Sequence, residues 1–278
     1  MTISRRTRIR GRFQTVSAHT LMLVFCFFSV FPVYWMIVSS FKNEGEIFSP
    51  GLWPRVFTLT NYLYAFRELP ILRMLLISCC AAVSQALLQL STGTLAAYGM
   101  IRFRFRGRAA CALLLSLAWL IPIQSIMIPN YVLIVRAGLA DNPLAIVLPH
   151  AASAFAILNL IQAFRSYPAA LIEAAHIDGA SDISILLLVI LPNMMPSISS
   201  LGILLFITSW NDYLWPRLVI RHIENAPIQI GLRSFISSDT NLWGSLMAAT
   251  TVSCVPIFAL YTVLQRRIVD SFVKWGIK

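Results

Sequence analysis

Residues 173–196 read EAAHIDGASDISILLLVILPNMMP, a run of small and polar residues with apolar sequence on both sides. Glu173, Ala174 and Ala175 belong to a short helix. Asp178 and Gly179 end it, because glycine accepts the left-handed backbone that closes a helix. Ser181 then caps a second helix running towards Leu191. The small side chains of Ala174, Ala175 and Ala180 leave room for another protein to come close. The expected unit is a helix, a glycine turn, and a second helix that feeds straight into apolar sequence.

Outward from this unit the chain is 58% hydrophobic and only 12% charged. Average soluble domains carry about 25% charged residues. So apolar a chain cannot hide its nonpolar surface in one soluble core, which makes it integral to a membrane. Six apolar segments occupy about 18–40, 71–99, 109–132, 144–164, 185–210 and 243–264. Each reaches the roughly 20 residues a helix needs to cross hydrocarbon. The expected fold is all-α: a polytopic membrane protein with six transmembrane helices, one domain over 1–278, and the polar loop 165–184 between spans four and five. The first run is too long and too aromatic for a signal-peptide core and is read as retained. Pro122 and Pro129 in span three, and Pro192 and Pro196 in span five, mark candidate bends around a pathway. The five cysteines lie in apolar runs without CxxC spacing, so they read as small hydrophobes.

The net charge of +11 would suggest nucleic acid in a soluble protein. In a membrane chain it reports orientation, because Lys and Arg collect on the cytoplasmic side. With both termini placed there, the inner segments hold 14 Lys or Arg and 4 acids, and the outer segments 8 and 7. That asymmetry puts both termini and the 165–184 loop in the cytoplasm and leaves no case for a nucleic-acid partner.

The chain lacks G-x-x-x-x-G-K-[ST], H-E-x-x-H and G-x-S-x-G. Without a phosphate-cradling loop it is not expected to hydrolyse ATP. Its scattered histidines point to no metal and no cofactor of its own. Charges deep inside spans are nearly absent, which argues for a driving force supplied from outside the chain. Polar residues inside the spans or at their mouths form the candidate substrate pathway: Gln85, Gln89, Gln124, Asn159, Asn211 and Asp212. Trp210 and Trp215, beside the last two, read as an interfacial aromatic belt, with ring faces for a sugar as the alternative. His150, next to Pro149, reads as a donor to a neighbouring helix, with a functional group at depth as the alternative.

The hairpin resembles the EAA loop of permease subunits of binding-protein-dependent ABC importers. Glu173-Ala174-Ala175, Asp178-Gly179-Ala180-Ser181 and Leu191-Pro192 match its pattern. The similarity runs through most of the chain: LAAYGMIRFRFRGR at 95–108, IPNY at 128–131, GLADNP at 138–143 and WNDYLWP at 210–216. Together these are similar to the carbohydrate branch, which serves maltose, trehalose and glycerol-3-phosphate, and within it to the shorter six-span subunit. The resemblance implies a type I ABC importer permease fold with a cytoplasmic coupling helix. It assigns ATPase coupling to Glu173, Ala174, Ala175, Asp178, Gly179, Ala180 and Ser181. It implies an ABC ATPase dimer that uses ATP and Mg, a second permease subunit, an extracytoplasmic solute-binding protein, and the inner membrane of a prokaryote. The implied cargo is a sugar; a glycerol-phosphate-type solute, a secondary carrier and a membrane enzyme stay as alternatives. Two departures stand out. Pro168-Ala169-Ala170-Leu171 lacks the acid often found before E-A-A, and Phe272-Val273-Lys274-Trp275-Gly276 is a bulkier tail than usual.

Overall fold

The computed structural model describes the backbone of residues 3–236 and 241–276, and side chains over 15–236, 241–263 and 265. The expectations for the Arg5–Arg12 and 272–276 side chains fall outside those residues. Among the described residues all regular structure is helical, and strand-like pairing is confined to one isolated bridge, Ile236 to Asn241. In chain order the helices are α1 Ile3–Ser40, α2 Thr60–Glu68, α3 Ile71–Arg102, α4 Arg108–Leu120, α5 Ile123–Arg136, α6 Leu144–His150, α7 Ala154–Arg165, α8 Ala169–Ile177, α9 Asp182–Trp210, α10 Leu214–Val219, α11 Ile228–Ser234 and α12 Trp243–Gly276.

Among the described residues four helical stretches are long and apolar enough to cross a membrane: Thr15–Ser40 of α1, α3, α9, and Trp243–Val263 of α12. The expected spans at 109–132 and 144–164 are not continuous. Helices α4 and α5 meet at 96°, and α6 and α7 at 49°, so the count reaches six when each bent pair is one span. The first break has a local cause. Ile121 precedes a proline, which pushes it out of the helical region, and it adopts φ −73°, ψ 121°. At the second break Ser153 is extended, and its Oγ accepts the Ala156 N–H to cap α7. The other prolines expected to bend helices do not break them. Pro129 and Pro196 stay inside helices. Before Pro192 the backbone widens into a π-turn over Ile185–Ile190, where the Leu191 N–H reaches back five residues to the Leu186 carbonyl. That wider register accommodates a residue with no N–H to give.

The chain divides into two compact units. One comprises residues 1–68 and 235–252. Here the end of α1 is fastened to α2, because Asn61 Nδ2 donates to the carbonyls of Ser40 (2.9 Å) and Lys42 (2.7 Å). Phe41 stacks on Phe57 with ring centres 4.4 Å apart. Lys42 is fully buried; its Nζ donates to the Gly51 carbonyl at 2.6 Å and sits 4.3 Å from the Trp35 ring centre. The Gly244 N–H donates to the Glu44 carboxylate at 3.0 Å. A Cβ on Gly244 would fall 2.5 Å from Asn61 Oδ1, and Asn61 is held by its two bonds. Gly244→Ala is therefore expected to destabilise this unit by about 1–3 kcal/mol through overpacking. Thermal unfolding of the purified protein measures it, and an unchanged midpoint would contradict the packing described.

The other unit comprises residues 69–234 and 253–278, and α3 is its central helix, packed on α7 and α9. Small residues permit the close approach, as in other membrane helix pairs. A Cβ on Gly93 would meet Leu160 of α7 at 3.0 Å, and one on Gly202 of α9 would meet Leu90 at 3.1 Å. Ala82, Ala97, Ala156, Leu160 and Ile185 are almost completely buried.

Candidate functional site

Two features stand out in the second unit: a capped hairpin and a cavity, joined by the same helices. The hairpin is α8, a glycine turn, and the start of α9. Its turn closes as the sequence predicts. Gly179 has φ +81°, the Gly179 N–H donates to the His176 carbonyl, and the Ala180 N–H to the Ala175 carbonyl, both at 3.0 Å. This pair of bonds satisfies carbonyls that a helix end leaves open. Ser181 Oγ accepts the Ser184 N–H at 3.2 Å and opens the next helix.

Glu173, Ala174, Asp178, Gly179 and Ser181 are exposed, and Ala175 and Ala180 are half-buried. Glu173 has no hydrogen bond or ion pair among the described residues. Beside it are apolar side chains that polar solvent alone would not favour: Ile177 is 86% exposed, Ile183 70% and Leu171 49%. Neither Ile177 nor Ile183 is among the candidate residues that the sequence marks. The available signal was a large apolar residue directly before Asp-Gly, where a solvent-facing turn is ordinarily polar.

A second missed group anchors the hairpin. Arg102, the last residue of α3, donates from Nε to Asp182 Oδ1 at 2.8 Å. Its Nη2 contacts His176 Nε2, and the Tyr98 hydroxyl reaches the same Asp182 oxygen at 3.4 Å.

The cavity, about 640 Å³, lies among α3, α4, α5, the α6–α7 break, the end of α9 and α10. That size is within the range of small-molecule sites, about 300–1,000 Å³. Of the candidate pathway residues, Gln85, Gln89, Gln124 and Asp212 line it. Asn159 and Asn211 do not; each donates to its own helix, to Phe155 and Ile207. The two glutamines of α3 have a further job. Gln85 Nε2 donates to the Ile146 carbonyl and Gln89 Nε2 to the His150 carbonyl, each at 2.8 Å, and Thr92 Oγ1 donates to Ala151 at 3.1 Å. One stripe of α3 thus serves carbonyls around the α6–α7 break, which is what keeps broken helix tolerable at membrane depth.

Trp210 and Trp215 are each only 2% exposed, so they are not an interfacial belt. Trp210 stacks on Phe206, and Trp215 lines the cavity with its Nε1 donating to the Ala145 carbonyl at 3.0 Å. His150 also lines the cavity, edge-on to Trp215. Burial pushes the Asp212 carboxyl above the usual carboxylate range; His150 and the backbone N–H groups of Trp215, Leu214 and Tyr213 pull it back. Among the described residues the lining contains this one carboxyl and neither Lys nor Arg. It is a mainly apolar and aromatic chamber with the Asp212 carboxyl, the Gln124 and Asn130 amides, and Ser and Thr hydroxyl groups.

Asp141 ties the loop before α6 to the loop after α10. It adopts φ +63°, which Asp tolerates better than most residues. Its Oδ1 accepts the N–H groups of Arg221 (2.9 Å) and His222 (3.0 Å), and its Oδ2 contacts His222 Nδ1. The His222 N–H and ring hold the Asp141 carboxyl far below its usual range, while the bond to Asp141 raises His222. This tie is complete between the two midpoints. It fades as pH rises through the raised His222 value, and also as pH falls through the depressed Asp141 value. In Asp141→Asn, NMR titration of His222 is expected to show its midpoint fall back towards 6.5.

A family model described as the binding-protein-dependent transport system inner membrane component matches residues 89–272. The chain is 26% identical to the lactose transport system permease protein of Rhizobium radiobacter, over 96% of this chain and 98% of that one. It is 31% identical to the diacetylchitobiose uptake system permease protein of Streptomyces coelicolor, over 94% and 87%. Its backbone matches a chain in the crystal structure of a bacterial ABC transporter involved in import of the acidic polysaccharide alginate, with TM-score 0.79 at 22% identity, over 92% of this chain and 97% of that one. That last likeness is one of fold.

Proposed function

This chain belongs to the family of binding-protein-dependent transport system inner membrane components, and from that premise we propose that it is the permease subunit of an ABC importer for a neutral sugar. The observation that carries the reading is the exposed, doubly capped hairpin 169–184, continuous with α9 and hence with a wall of the cavity. In this reading both termini and the hairpin are cytoplasmic, consistent with the basic excess of those segments. The hairpin docks on a separate ATPase dimer, which supplies ATP and Mg chemistry that this chain lacks the loop to perform. Glu173 makes a charge-assisted contact there, Ile177 and Ile183 fill apolar depressions, and Ala174, Ala175 and Ala180 allow close approach. Asp178, Gly179 and Ser181 keep the hairpin rigid. Closure of the ATPase dimer displaces the hairpin and converts the bundle between inward- and outward-facing states as a rigid-body change. The cavity completes its walls with a second permease subunit, and a solute-binding protein delivers cargo from outside.

Sugar is favoured over a glycerol-phosphate-type solute by the charge of the lining. Asp212 and Gln124 suit hydroxyl groups, and Trp119, which is 57% exposed and on the lining, offers a ring face. A phosphate would meet a carboxyl and no Lys or Arg. The test is reconstitution with the ATPase, the second permease and the binding protein in proteoliposomes. Uptake of a neutral oligosaccharide that needs ATP and the binding protein supports the reading. Uptake by this chain with the ATPase left out would replace it with a secondary carrier.

A further inference from the structure

We propose that Arg102 is a positioning residue that makes the two long helices of the cavity wall follow the hairpin together. This rests on the coupling role proposed above. The hairpin is joined through the chain to α7 on one side and to α9 on the other. It has no covalent link to α3, although α3 packs on both of those helices and carries Gln85 and Gln89. The link to α3 is polar: Arg102 Nε to Asp182 Oδ1 at 2.8 Å, with His176 of α8 against the same guanidinium. One arginine at the end of α3 therefore holds both arms of the hairpin, α8 through His176 and α9 through Asp182. The Tyr98 hydroxyl, one turn earlier on α3, reaches the same carboxylate at 3.4 Å.

The geometry gives this junction leverage. At 1.5 Å per residue, Gln89 lies roughly 20 Å along α3 from Arg102. A continuous helix passes an axial or tilting displacement over that distance. Gln85 and Gln89 then carry it to the carbonyls of Ile146 and His150 at the broken helix pair. The α9 residues on the lining, Leu205, Thr208 and Ser209, move with the hairpin through the chain itself. Without the Arg102 junction, a pull on the hairpin would move the α9 wall directly, and the α3 wall would follow only through packing, the longer Tyr98–Asp182 contact and the side-chain bonds to the α6–α7 break.

The test measures solute moved per ATP hydrolysed in the reconstituted transporter. Arg102→Gln is expected to lower that ratio by about fivefold or more, the lower end of typical coupling between sites. Arg102→Lys, which keeps the charge but not the planar fork, is expected to recover part of it. The exchanged pair Arg102→Asp with Asp182→Arg is expected to return to within about twofold of the starting ratio. An unchanged ratio in Arg102→Gln overturns the proposal. If Arg102→Gln fails to assemble, the exchanged pair decides: assembly with coupling supports the proposal, and assembly without coupling, or no assembly, overturns it. Failure of the unsubstituted transporter to couple uptake to ATP would instead sink the function proposed above.

Discussion

Uptake by the complete transporter is expected to fall about a hundredfold or more when Glu173 becomes lysine, with no loss of the protein from the membrane. A charge-assisted hydrogen bond contributes about 1.5–3 kcal/mol, and reversal adds repulsion from the ATPase group it faced. The fold has little stake in this side chain. Glu173 is exposed and makes no bond among the described residues, so its replacement should change stability by about 0.5 kcal/mol or less. Binding-protein-stimulated ATP hydrolysis and uptake are measured together, beside the amount of assembled complex. Normal uptake in a fully assembled Glu173→Lys transporter would refute the docking role. Gly179→Ala supplies the contrast. No atom lies within 4 Å of an added Cβ there, so only the left-handed backbone opposes it. That strain is about 1–2 kcal/mol, and uptake should weaken without vanishing.

The second large effect is expected at Asp212. Its carboxyl lines the cavity and lies close enough to backbone N–H groups at the start of α10 for them to favour its charged form. These two roles separate in a pair of variants. Asp212→Asn keeps an oxygen acceptor for the helix start, so it chiefly removes charge. It is expected to lower uptake of a neutral sugar about tenfold, the worth of one hydrogen bond to a charged group. Asp212→Arg removes the acceptor and fills the chamber with a cation, and uptake is expected to fall to background. Concentration dependence of uptake distinguishes weaker solute binding from slower turnover. Undiminished sugar uptake in Asp212→Asn would exclude the carboxyl from the pathway.

The hairpin was legible in the sequence because its determinants are local. A glycine at the turn and a serine at the next helix start fix the backbone whatever surrounds them. The apolar cores of the long helices were legible for a similar reason, whereas α1 and α12 run on into charged sequence that apolar length does not mark. The breaks were harder. Pro122 interrupts a helix, whereas Pro129 and Pro196 do not, although the residue is the same. What differs is whether the neighbouring backbone stays helical, and that depends on packing. Gln85 and Gln89 were recognisable as polar groups in a span. Their bonds to Ile146 and His150 were not, because these join residues 61 apart. The Arg102–Asp182 contact spans 80 residues and was equally hidden. Asn159 and Asn211 mislead in the opposite sense, since a polar side chain within a helix can satisfy itself one turn back.

The burial of Lys42 has a practical consequence for sidedness. The sequence contains three lysines, at 42, 274 and 278. With its ammonium group enclosed between a carbonyl and an indole ring, Lys42 is closed to amine-directed reagents while the fold is intact. The other two lysines of the sequence are Lys274 and Lys278. A membrane-impermeant amine reagent applied to sealed vesicles of known orientation therefore draws no background from the loop after α1.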